Sequence, residues 1–94
     1  MARYRVYMSV PVEITINDQN VIDRCVNDED GWRTEMYYRL DTRDKVLEHL
    51  AFNAAVNGRR YVSDLDGWAD LDDNAAYMHV DVGAGVYAES VETL

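Results

Sequence analysis

The sequence predicts an α+β fold: two layers, a small mixed or antiparallel sheet of three to four strands with two helices on one face, in the order β-α-β-α-β-β. Three observations predict it. Apolar residues alternate with others from Arg3 to Ile16, the period of a strand with one covered face. Between Asp41 and Asn57 they recur at helical spacing. From Tyr77 to Val82 the two-residue period returns.

The elements follow in chain order. In the first strand Tyr4, Val6, Met8, Val10, Val12, Ile14 and Ile16 share a face, and Pro11, which cannot donate to a ladder, predicts a kink. Next, Val21, Ile22, Cys25 and Val26 make the stripe of a short helix, capped by Asn17 or Asp18 and finished before Gly31. Trp32, Thr34, Met36, Tyr38 and Leu40 alternate with Arg33, Glu35, Tyr37 and Arg39, which predicts a second strand. The longer helix is capped by Asp41, with Asp44 completing a pair like a capping box, and Asn57-Gly58 stops it. Its core stripe is Val46, Leu47, Leu50, Ala51 and Ala54. His49, Phe52 and Val56 form a second stripe, which either another segment covers or a partner uses as a secondary interface. Tyr77 to Val82 is the third strand, Gly83-Ala84-Gly85 a tight connection, and Val86 to Val91 a returning fourth strand.

A chain of 94 residues suits a single domain over residues 1–94. Its apolar runs are a few residues long, against roughly 18 for a bilayer span, so no membrane partner is expected. Met1 to Val10 holds no apolar h-region or small-residue cleavage site, so no secretory signal is expected either. Cys25 is the single cysteine; it suits a reducing compartment and reads as a small buried hydrophobe before a reactive thiol.

The net charge of −9 is unevenly distributed. Residues 1–60 hold ten acids and nine bases, whereas residues 61–94 hold eight acids and no lysine or arginine. Direct nucleic-acid binding, which needs a basic surface, is therefore not expected. A basic protein patch remains a fitting partner, and simple solubility also accounts for the charge.

The acid concentrates in SDLDGWADLDD, Ser63 to Asp73, with five aspartates in eleven residues. An EF-hand register with Gly67 at position 6 puts Val62, which has no side-chain oxygen, at position 1 and only an aspartate, Asp73, at position 12. In the echo NDEDGW, Gly31 at position 6 leaves Val26 and Tyr37 at the two ends, so no metal is expected. Asp-Gly turns account for the glycines and fold Trp32 and Trp68 back as apolar lids. The surplus of aspartates fits an acidic contact surface of Asp64, Asp66, Trp68, Asp70, Asp72 and Asp73 with Trp68 as its aromatic anchor. In a second version these carboxylates, joined by Asp81, Glu89 and Glu92, imitate nucleic-acid phosphates.

Catalysis has little to stand on. His79 and Asp81, with Tyr77 beside them, could be drawn as an acid–base group, but no nucleophile elbow, phosphate loop or ligand set accompanies them. Arg59-Arg60 reads as a helix-end charge pair before an anion site. No catalytic residue and no cofactor is expected.

The runs VIDRCVNDEDGWR, YRLDTRDKVLEHLAFNAAVNG and VSDLDGWADL, over roughly residues 21–72, resemble small accessory proteins of actinobacterial phages. The resemblance implies a setting, the cytoplasm of a bacterial host, and it transfers no functional residue. Together these readings predict a non-enzymatic accessory protein that binds a host or phage protein through the acidic surface. The alternatives are a nucleic-acid mimic blocking a host defence or transcription enzyme, and a metal-binding or catalytic protein. A free edge on the first or last strand would also allow a homodimer.

Overall fold

The long first strand does not stay whole. The computed structural model describes residues 2–28 and 40–94, and in it the chain forms β1 (Tyr4–Ser9) and β2 (Val12–Ile16), parted at Val10 and Pro11. The described helices are α1 (Asn20–Val26) and α2 (Arg43–Asn57). Two further strands follow, β3 (Ala76–Val80) and β4 (Tyr87–Thr93), with 3-10 turns at Val62–Asp64, Asp73–Ala75 and Val82–Ala84. The fold is α+β, as the periodicities predict. Of the expected strand from Trp32 to Leu40, all but Leu40 lies outside the described residues; Leu40 itself is buried.

Among the described residues the expected single sheet is corrected to two antiparallel pairs, β1 with β4 and β2 with β3. Val12 faces Val80 and Ile16 faces Ala76, while Tyr4 faces Thr93 and Ser9 faces Tyr87. The fourth strand therefore does not return beside the third, as expected. It runs on past the break and pairs with β1. Pro11 explains the break on one side, and its carbonyl still accepts from the Asp81 N–H at 3.0 Å. Opposite it, residues 81–86 bow out into a turn in which the Asp81 carboxylate accepts from the Gly83 N–H at 3.1 Å and Gly85 takes φ 105°. Val82, expected on a strand face, is 73% exposed at this bow.

The core formed by the described residues lies on one side of the break. Helix α2 packs on β2 and β3, and α1 packs on α2. Val21, Ile22 and Cys25 of α1, Val46, Leu50 and Ala54 of α2, and Ala76 and Met78 of β3 are buried together. Val12, Ile14, Ile16, Leu47 and Val80 close over them. Neither β1 nor β4 contributes a core residue, and the molecule is drawn out to 52 × 28 × 19 Å. Tyr4, Val6 and Met8, expected to share the covered face with Val12, Ile14 and Ile16, are exposed. β1 and β4 thus make a ribbon beyond the packed body.

The helix ends follow local chemistry, with small corrections. Gln19 takes the N-cap position of α1 without a side-chain bond, and the Asp18 carboxylate just before it accepts from the Asn20 N–H at 3.0 Å. Helix α1 runs to Val26 with Asn27 as its C-cap and Asp28 left-handed at φ 52°, so it finishes before Gly31, as expected. Helix α2 is capped by Thr42, whose hydroxyl accepts from the Lys45 N–H at 3.2 Å. The expected cap, Asp41, instead pairs with the Lys45 ammonium at 2.8 Å. Gly58 ends the helix at φ 66°, where a side chain would be strained.

Candidate functional site

The acidic loop has a regular construction. Its apolar residues, Val62, Leu65, Trp68 and Leu71, stand three apart. The backbone repeats that spacing: the Leu65 N–H donates to Val62 (2.9 Å), Trp68 to Leu65 (3.2 Å) and Leu71 to Trp68 (3.0 Å). Three-residue hydrogen bonding turns every third side chain to the same side. Val62, Leu65 and Trp68 are buried, and Leu71 packs against the core. The aspartates between them are left facing outward, and Gly67, at φ 94°, allows the chain to turn before the indole.

Two polar ties fix this loop. Asp70 forms a two-pronged pair with the Arg24 guanidinium at 2.9 and 3.0 Å, and Arg24 also donates to the Gly67 carbonyl at 3.0 Å. The arginine holds the Asp70 carboxyl below the ordinary aspartate range, chiefly through that hydrogen bond. At the mouth of the loop the Ser63 hydroxyl donates to Asp73 at 2.7 Å, which brings its two ends together. A closed loop packed by its own side chains is an Ω-loop in kind.

The expected contact set is therefore divided. Trp68 is fully buried, with its indole N–H donating 3.1 Å to the Val21 carbonyl. It belongs to the core, as the apolar-lid expectation has it, and its other expected place, as an exposed aromatic anchor, is corrected. Asp70 and Asp73 are engaged in the loop's own ties. Asp64, Asp66 and Asp72 are exposed, and their carboxylates make no hydrogen bond or ion pair with the described residues. For the phosphate-imitating set, Glu92 is likewise engaged, by Tyr7 at 2.9 Å and Arg5 at 3.9 Å. Among the described residues no group of three or more His, Cys, Asp or Glu could hold a metal ion. No protein-family model, curated protein or solved structure matches this chain.

The second expected interface also divides. Phe52 and Val56 are 58% and 63% exposed, whereas His49 leans over the Trp68 ring with centroids 5.9 Å apart. Partial burial lowers the His49 pKa. His79 stands opposite Glu13 across the ladder, and the Asp81 carboxylate accepts from the Gly83 N–H of its own turn. What the sequence did not suggest is a surface hollow of about 440 Å³ lined by Arg60, Tyr61, Tyr77 and His79 among others. Tyr61 bridges to Tyr77 there, so Arg60 runs along the outer edge of β3. Long-range pairing of this kind leaves no trace in local periodicity. Among the described residues no helix is long and apolar enough to cross a membrane.

Proposed function

We propose that this chain is a non-enzymatic interaction module whose acidic loop docks on a basic patch of a protein partner. The observation that carries the reading is the set of unpaired carboxylates of Asp64, Asp66 and Asp72 on a loop already closed by Ser63–Asp73 and pinned by Arg24–Asp70. A rigid loop loses little conformational entropy on docking, so its charges cost less to engage. The partner is a host or phage protein, and the setting is the cytoplasm of an actinobacterial host, on the strength of the sequence resemblance. A nucleic-acid-binding surface is one kind of basic patch that would fit. The imitation of a long phosphate array is less favoured, because Asp70 and Glu92 already hold arginines of their own.

The test is capture from actinobacterial lysate by the tagged protein, run beside a variant carrying Asp64→Lys, Asp66→Lys and Asp72→Lys. A partner retained by the parent, released as salt rises and lost by the variant supports the reading. A partner held equally by both removes the acidic loop from consideration.

A further inference from the structure

The β1–β4 ribbon has two unlike faces. Register places Tyr4 opposite Thr93, Val6 opposite Val91 and Met8 opposite Ala88, with Glu89 the extra residue of a bulge. These side chains share one face. On the other face lie Arg5, Tyr7, Ser90 and Glu92, where the Tyr7 hydroxyl donates to Glu92 at 2.9 Å and Arg5 stands 3.9 Å from the same carboxylate. The polar face satisfies itself. Among the described residues nothing covers the apolar face: Tyr4 is 61% exposed, Val6 48%, Met8 50% and Val91 66%.

An isolated two-stranded ribbon is at best marginally stable in water and needs further strands or a packed layer. We infer that the apolar face of the β1–β4 ribbon packs against the same face of a second copy of this chain, forming a two-fold dimer. Complete coverage of both faces buries at most on the order of 1,000 Å², the floor for a specific interface, so the dimer is a weak one. Charge does not oppose a second copy. Arg3 and Arg5 balance Glu89 and Glu92 along the ribbon, so this end is neutral while the chain as a whole carries −9. Neutral faces can meet without bringing the acidic loops together, and a two-fold axis pairs identical patches. The contact is face to face, which differs from the edge pairing expected from the sequence. It stands independently of the acidic-loop reading.

Sedimentation of the full chain from low micromolar to several hundred micromolar tests the inference. The parent is expected to dimerise within that range, and Val6→Lys with Val91→Lys to weaken the dimer at least tenfold. The buried Trp68 emission should be unchanged in that variant; if it is not, Val6→Thr with Val91→Thr makes the same test more gently. A chain that stays monomeric throughout overturns the inference. So does a dimer that the ribbon substitutions leave unaltered.

Discussion

The indole of Trp68 donates 3.1 Å to the carbonyl of Val21, joining the acidic loop to the first helix across 47 residues of sequence. Loop and helix are therefore one packing unit. Trp68→Ala should destabilise the fold by about 3–5 kcal/mol, the range for emptying a large aromatic site. Trp68→Phe, which keeps most of the volume but removes the indole's hydrogen bond to the Val21 carbonyl, should cost less. Urea midpoints of the two variants give the comparison. A Trp68→Ala protein as stable as the parent would contradict the buried position.

A second tie joins the same two elements, and it is polar. The Arg24 side chain is only 18% exposed, while its partner Asp70 is 64% exposed. Losing the exposed partner is the smaller loss: Asp70→Asn should cost about 0.5–1 kcal/mol after solvent screening. Arg24→Ala, which also frees the Gly67 carbonyl, should cost more. Because the folded Asp70 carboxyl titrates below its ordinary range, its contribution is complete above the unfolded value and is lost as pH falls through the folded one. Asp70→Asn should remove that part of the acid limb of the stability curve.

His49 gives the opposite end of the pH range something to read. Its partial burial over Trp68 lowers its pKa from 6.5, so the folded state binds the proton less readily than the unfolded chain. Stability is then full above pH 6.5 and declines as pH drops from there through the folded pKa. His49→Gln should flatten the curve in that window. Equal slopes for the parent and the variant, measured by chemical unfolding between neutral and mildly acidic pH, would refute it.

The parts of this fold that were legible in the sequence are those governed by local period. Val46, Leu50 and Ala54 are buried where helical spacing puts them, and Gly58 stops the helix where Asn57-Gly58 predicts. Period two is less informative. It predicts that Tyr4, Val6 and Met8 share a strand face with Val12, Ile14 and Ile16, and it cannot say whether anything covers that face. Pro11 marks the place where coverage ends, but only the register with β3 and β4 shows that it ends. The loop held a third period, Val62, Leu65, Trp68 and Leu71, that the density of aspartates obscured. Asp-Gly turn chemistry already folds Trp68 back as a lid; spacing three adds Val62, Leu65 and Leu71 to the same side and leaves Asp64, Asp66 and Asp72 outside. The Arg24–Asp70 pair had no local signal, because its members are 46 residues apart.

Helix α2 offers an internal control on which face is core. Leu50 is fully buried, and Phe52, two residues on, is 58% exposed. Two residues turn the helix by about 200°, so the pair reports on opposite sides of it. Leu50→Ala should cost about 2–5 kcal/mol, as large-to-small changes in packed cores do. Phe52→Ser should stay within about 0.5 kcal/mol of the parent, the range of exposed substitutions. Thermal or urea unfolding of the two proteins decides the point. If Phe52→Ser proved as damaging as Leu50→Ala, the outer stripe would be a covered surface. Its exposure with Val56 would then have to give way to a packing partner within the folded protein.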